Sequence, residues 1–324
     1  MGKSVKNFFA TIIFCFFGVQ NCVSMEDTAH FKREDYEFRI GTILVRQTHF
    51  NEIDSTQIWS IKNIKMMPET DKNIWRLITA DVQTAGIGMS DRKWISHIPG
   101  NVYASLSFLT PAPVLSETFS SFDEWIDYDE TSQLFSVSAP LYEESSPDIF
   151  EIVSSVAVSN VMVDMLQGKG KVQIKWPSDV IVDEKKISGT MVNLSSAATG
   201  WNMCTIGVGV NVNFSEKDLS VIDQPATSMG IITQKTFNEK EVLRCYLSKF
   251  DEAMNSYKKD QETFLSNFFG KMAFIGEIVD VHDDISNTDI TGRMLVVTES
   301  GFLRLQKEKS GSIVEITSGI LKKH

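Results

Sequence analysis

Cysteine is scarce. There are four in 324 residues, and two of them, Cys15 and Cys22, fall in the first two dozen positions, leaving Cys204 and Cys245 for the body of the chain. Two cysteines so far apart supply neither a disulfide framework nor a thiolate metal site. Histidine is equally thin, with five scattered residues and no spacing that suggests zinc. Clustered Lys and Arg are missing as well. With 31 basic against 42 acidic residues the formal net charge is −11, which opposes the phosphate neutralisation that sequence-independent nucleic-acid binding requires. The apolar run from Phe8 to Val19 falls short of the roughly 20 residues that span a bilayer. What remains is the composition of a globular protein, 42% hydrophobic and 23% charged, on a chain long enough for one large domain and a smaller companion.

The densest chemistry lies in Lys175-Trp176-Pro177-Ser178-Asp179, followed by Lys186 and Gly189. Lys171 to Trp176 alternates as a short strand, and Pro177 ends its hydrogen-bonding run. Val180 to Val182 resumes extended structure, and after the polar Asp183-Glu184-Lys185 turn Lys186 to Leu194 returns as the partner strand. A hairpin in that register brings Lys186 near Lys175 and Asp179, while Gly189 leaves a ligand room against bare backbone. A fixed cation, a carboxylate and a close backbone approach around one hairpin suit chemistry on an anionic small molecule. The simpler reading is a surface hairpin with solvated lysines.

Elsewhere the pattern alternates between strand and helix. Arg39 to Phe50 reads as a strand leading to Asp54-Ser55-Thr56-Gln57, after which Ile58, Ile61 and Ile64 have helical spacing, with Ser55 or Thr56 as the cap. Leu77 to Val82 and Val102 to Leu109 read as strands on either side of a glycine-containing loop. Residues 116–148 hold nine acidic residues and no Lys or Arg, the mark of an inserted surface loop. Pro147 and Asp148 open a helix with an apolar face of Ile149, Ile152, Val153, Val156 and Met162, closing at Gly168. A long amphipathic helix is expected from Asn238 to Phe268, with Thr236 and Glu239 at capping-box spacing and Val242, Tyr246, Phe250, Met254 and Tyr257 on its core stripe. Beyond Gly270 come short strands: Phe274 to Val281, Met294 to Thr298, Phe302 to Gln306 and Ser312 to Ile316.

Four stretches taken in order resemble the biotin protein ligase family. They are Asp54-Ser55-Thr56-Gln57, the loop from Gln83 through Gly86 and Gly88 to Arg92-Lys93-Trp94, the KWPSD run with Lys186 and Gly189, and Ile206-Gly207-Val208-Gly209-Val210-Asn211-Val212-Asn213. The resemblance spans about residues 40–320. It implies an α+β fold: a mixed β-sheet backed by helices, of the class II synthetase-like biotin/lipoate ligase type. The catalytic domain is expected over 25–272, with the insertion at 116–148, and a small C-terminal SH3-like β-barrel over 273–324. Only about thirty residues separate residue 24 from Ser55, too few for the helix-turn-helix some bacterial members carry.

The activity implied is ATP-dependent formation of biotinyl-adenylate, then transfer of biotin to a lysine of a biotin carboxyl carrier domain, such as that of acetyl-CoA carboxylase. ATP and Mg2+ are the cofactors and biotin the substrate. No protein metal motif is expected, the Mg2+ arriving with ATP. By resemblance Lys186, Asp179 and Lys175 are catalytic. Ser55, Thr56, Gln57, Gln83, Gly86, Gly88, Lys186 and Gly189 bind biotin, and Arg92, Lys93, Trp94 and Asn211 bind ATP. The family loop carries arginines where this chain has Ile87, Met89 and Ser90, and the one at Met89 is a phosphate contact. Ser178 replaces the usual Asn, keeping a group that donates and accepts. The alternatives are a lipoate ligase or octanoyltransferase of the same fold, and a biotin-binding pseudoenzyme. The expected partner is the carrier domain and not nucleic acid, with room for a homodimer. Residues 1–24, with Lys3 and Lys6 before the apolar run and Cys22 and Ser24 after it, have the form of a targeting leader. The expectation is a cytoplasmic enzyme starting at Met25; import into an organelle such as a plastid, and export, are the other readings.

Overall fold

The computed structural model describes residues 32–63, 73–89, 92–111, 126–129, 134–137, 147–198, 201–298 and 301–324. The expected leader and most of the acidic segment lie outside the described residues.

The chain opens with β1 (Arg33–Ile40) and β2 (Ile43–Ile53), an antiparallel pair in which Ile40 faces Ile43. One strand from Arg39 was expected; the backbone instead reverses at Gly41, whose φ of 55° suits glycine. Then come α1 (Thr56–Asn63), β3 (Ile74–Gln83) and β4 (Val102–Pro111). The acidic segment contributes a separate ladder of β5 (Ile126–Asp129) and β6 (Leu134–Val137). After α2 (Pro147–Leu166) the chain forms β7 (Val172–Lys175), β8 (Asp179–Val182), β9 (Lys185–Ala198) and β10 (Trp201–Val210). The eight-stranded sheet runs β1-β2-β3-β4-β10-β9-β8-β7, mixed because β2 and β3 pair in parallel. Two short helices, α3 (Glu216–Leu219) and α4 (Met229–Thr233), lead to α5 (Glu239–Lys259) and α6 (Gln261–Phe269).

One face of the sheet is backed by α2 and α5, whose Phe150 and Phe250 meet Phe108 of β4 and Trp75 of β3 edge-on or tilted. Helix α2 is long and apolar enough to cross a membrane, yet it is largely buried here because it lies between the sheet and α5. Its buried serines are satisfied, Ser154 by Thr190 and Tyr246, Ser155 by the Ile152 carbonyl. The stripe expected on α5 is buried at Val242, Tyr246, Phe250 and Tyr257. Two expectations are corrected. The single long helix breaks at Asp260, whose extended backbone ends α5 while its carboxylate caps α6. The cap of α5 is Asn238, which accepts from Lys240 N, rather than Thr236.

The C-terminal part is an antiparallel sheet of β11 (Ile278–Asp283), β12 (Thr288–Val297), β13 (Leu303–Lys307), β14 (Ile313–Ile316) and β15 (Gly319–Lys323), in the order β14-β13-β12-β11-β15. Among the described residues no ladder joins β14 to β15, so this sheet is open and not a closed barrel. The four-residue β14 ends in a turn that carries the chain across to the opposite edge, where β15 pairs with β11. The strand β15 is additional to those expected. Val279, Val281, Leu303, Leu305 and Leu321 share one core with the larger sheet, and Trp176 Nε1 donates to the Gly301 carbonyl at 2.8 Å.

Candidate active site

A cavity of about 450 Å³ opens over the centre of the large sheet, within the size range of small-molecule sites. Its walls come from the start of α1, the 86–94 loop, the β7–β8 turn, β9, the 221–224 segment and the 319–321 edge of β15. Three glycines on β9 and β10 let side chains of the protein lie flat on the sheet. A Cβ at Gly209 would collide with the Trp94 indole, and one at Gly207 would come within 2.8 Å of Gln57 Oε1. At Gly189, where room for a ligand was expected, a Cβ would meet Trp94 and Lys186 Nζ at 3.1 and 3.2 Å, so the space serves those two residues.

The charged end is built by the hairpins of β7, β8 and β9. Asp183 and Glu184, with φ of 48° and 64°, make the tight two-residue turn between β8 and β9. A register shift between Val180 and Ile181 sets Ile181 opposite Lys186. The Lys186 backbone is held from the other side, its N–H donating to the Pro225 carbonyl and its carbonyl accepting from Thr227 N. Lys186 Nζ lies 2.6 Å from Asp179 Oδ1 and Lys175 Nζ 3.4 Å from Asp179 Oδ2, with all three side chains 13–16% exposed. Burial by itself raises the Asp179 carboxyl, but Lys186 and then Lys175 outweigh it and hold the group below its ordinary value. Burial is the main cause pushing Lys175 down, and the attraction of Asp179 offsets it only in part. Two ammonium groups thus share one carboxylate, leaving positive charge for an incoming anion. Lys186 Nζ also stands 5.3 Å from the Trp94 ring centroid, and the Trp94 Nε1–H is buried without a partner among the described residues.

The opposite end is neutral. Asp54 Oδ1 accepts from Ser55 N at 2.6 Å, and the Ser55 hydroxyl accepts a long bond of 3.4 Å from Ile58 N. Gln83 Oε1 accepts from both Thr56 N and Thr56 Oγ1, at 2.8 and 3.1 Å. Gln57 Nε2 donates to the Thr205 carbonyl and its Oε1 accepts from Ser105, so the polar atoms of Gln57 are spent inside the protein. Helix α1 therefore buries Thr56, Gln57 and Ser60, while Ile58 and Ile61 of the expected isoleucine spacing are only partly covered and Ile64 lies outside the described residues.

The loop between these ends is pinched by Ile87 facing Lys93, with Gly88 N donating to the Arg92 carbonyl and Arg92 Nε to the Met89 carbonyl. Arg92, Lys93 and Trp94 all line the cavity; Gly88 does too, but Gly86 does not. A Cβ at Gly86 would collide with Ser96 Oγ, so that glycine shapes the neck of the loop. Asn211 also lies outside the cavity wall. Its carboxamide donates to the Thr227 carbonyl and steadies the segment that grips Lys186. The sequence reading missed Ser105, the 221–224 segment and the β15 edge. A signal existed for Ser105, since Ser105 and Ser107 alternate in an otherwise apolar strand; the other two segments carry none. Among the described residues no group of three or more His, Cys, Asp or Glu could hold a metal ion.

Residues 53–211 match the model of the Biotin/lipoate A/B protein ligase family. The bifunctional ligase/repressor BirA of Escherichia coli is 25% identical over 175 residues, 53% of this chain and 42% of that protein. Its counterpart from Bacillus spizizenii is 22% identical over 234 residues, 72% of this chain and 62% of that protein. The chain thus spans about half the length of these curated relatives. Biotin protein ligase from Aquifex aeolicus, solved in complex with biotin and ATP, aligns with a TM-score of 0.61 at 25% identity, covering 86% of this chain and 99% of that one. A point mutant of that enzyme, solved with biotin, gives 0.60 at 26%, covering 86% and 98%. The family match takes in 159 of the 324 residues, just under half of the chain, so the likeness to this family is one of the 53–211 segment. The relatives and solved structures that match it are BirA ligase/repressors and biotin protein ligases, so the likeness is to that kind of protein.

Proposed function

We propose that this protein is a biotin protein ligase. The observation that carries the reading is one cavity with two unlike ends: Gln83, Thr56 and Ser55 at a neutral end, Lys175, Asp179 and Lys186 at a cationic one. Biotin has the matching polarity, a neutral ureido ring at one end and a carboxylate at the other. In this reading the ring lies against α1 and the carboxylate reaches Lys186. The carboxylate oxygen attacks the α-phosphate of ATP, pyrophosphate leaves, and biotinyl-adenylate remains. Lys186 and Lys175 offset the repulsion between the two anions, and Asp179 holds both ammonium groups in place. The uncharged amine of a carrier lysine then attacks the acyl carbon and AMP departs.

Mg2+ arrives with the nucleotide, and Arg92 and Lys93 face the phosphates. Trp94 walls the acyl pocket, and in this reading it offers the adenine a face. The C-terminal sheet serves as the family's small SH3-like module, its 319–321 edge closing the cavity. The carrier is the biotin carboxyl carrier domain of a carboxylase such as acetyl-CoA carboxylase. A cytoplasmic location, where ATP is plentiful, and a homodimer complete the proposal.

The test is incubation with ATP, Mg2+, a carrier domain and either biotin or lipoate, following pyrophosphate release and carrier mass. Carrier biotinylation is the expected outcome. Modification with lipoate alone would make the protein a lipoate ligase, and biotin binding without pyrophosphate release a pseudoenzyme.

A further inference from the structure

We propose that Ser105, buried in the middle of β4, is a positioning residue that sets the cavity's preference for an acyl group with a hydrogen-bonding ring; this rests on the biotin reading above. Its hydroxyl lies 2.9 Å from Gln57 Oε1 and 3.0 Å from Thr56 Oγ1. Counting protons fixes the direction of these bonds. Ser105 has one proton, and Gln57 Oε1 only accepts, with no other donor reaching it among the described residues, so the Ser105 proton goes to Gln57. Thr56 Oγ1 is the other acceptor within reach of Ser105, at 3.0 Å, and the Thr56 proton itself goes to Gln83 Oε1 at 3.1 Å. Gln83 Oε1 accepts the Thr56 N–H as well, at 2.8 Å. That orients the Gln83 carboxamide and leaves its Nε2 donors without a partner among the described residues.

Gln57 closes the network by donating to the Thr205 carbonyl on β10, lying over Gly207 where no Cβ obstructs it. Four side chains from α1, β3 and β4 are thus locked before any ligand arrives, with Ser105 tying the first turn of the helix to β4. A urea-like ring supplies a carbonyl and two N–H groups to this set. A plain aliphatic chain supplies nothing and leaves the Gln83 donors unpaired, which is the situation in which a polar site discriminates most strongly. Without Ser105, Gln57 Oε1 loses its donor, α1 loses a tether, and Thr56 and Gln83 are free to adapt to the apolar ligand.

The experiment compares the full-length wild type with Ser105→Ala, Ser105→Thr and Ser107→Ala. Pyrophosphate release is measured with biotin and with octanoate, and binding of both by calorimetry. Ser107 is the control: it is buried on the same strand and bonded to Thr205 Oγ1, with no bond to α1. Ser105→Ala is expected to raise KM and Kd for biotin about tenfold, the size of one lost buried hydrogen bond. The preference for biotin over octanoate should narrow by about the same factor, with KM for ATP within about twofold of wild type. Ser105→Thr restores the preference, while Ser107→Ala lowers the melting temperature without moving biotin KM. Wild-type biotin affinity in Ser105→Ala, or an equal loss in Ser107→Ala, overturns the proposal. Wild-type protein that binds biotin but releases no pyrophosphate overturns the ligase reading instead, and the Kd comparison still decides Ser105. If the wild type does not bind biotin at all, both fall.

Discussion

The two ends of the cavity are built on opposite physical terms. At the neutral end, Thr56, Gln57, Gln83 and Ser105 are fixed by short hydrogen bonds among buried groups, and direction carries the information. At the cationic end, Lys175, Asp179 and Lys186 are less deeply covered, and charge carries it. In the proposed reading hydrogen-bond direction governs which ligand enters and charge governs what happens to it, so substitutions at the two ends should separate binding from chemistry.

The sharpest break is Lys186→Ala. Removing a cation that acts as two anions meet should lower the rate of biotin-dependent pyrophosphate release by at least about a thousandfold, with biotin affinity much less changed and circular dichroism unchanged. Pyrophosphate release at the wild-type rate would take Lys186 out of the mechanism. Gln83→Ala tests the other end: KM for biotin should rise roughly 10- to 100-fold with KM for ATP little affected. Equal rises in both would mean that the ends are not separate. Met89→Arg places a cation in the loop between them, and retention of biotinyl-adenylate should lengthen by about tenfold. Equal leakage from both proteins would assign that role to Arg92 or Lys93.

The smallest effect is on stability. Because the Asp179 carboxyl is held below its ordinary value of 3.8, its ion pairs stabilise the fold above that value and the contribution is lost as pH falls through the lower folded-state value. The stability gap between wild type and Asp179→Asn, read from urea unfolding, should be open near neutrality and close below about pH 4. A gap independent of pH would show that the pairing contributes nothing.

Much of this was legible because it was local. The hairpin from Lys171 to Leu194 follows from alternation and a polar turn, and the meeting of Lys175, Asp179 and Lys186 follows from its register. Hydrogen-bond partners across elements were not legible. Nothing near Gln57 announces that its amide is occupied by Thr205, and nothing near Asn211 that it steadies the segment gripping Lys186, because those partners lie 148 and 16 residues away. The break at Asp260 was missed because apolar spacing persists across it; only the capping carboxylate marks it. Closure of the C-terminal sheet was expected from a run of short strands and from the family resemblance, whereas closure depends on which edges pair.

The 319–321 edge that completes the cavity wall has a consequence for how the protein is made. Ser55 and Lys186 emerge from the ribosome well before Leu321, so the 319–321 wall of the cavity is the last part of the site to be supplied. Until β15 pairs with β11, the cavity lacks that wall and water has access to the site from that side.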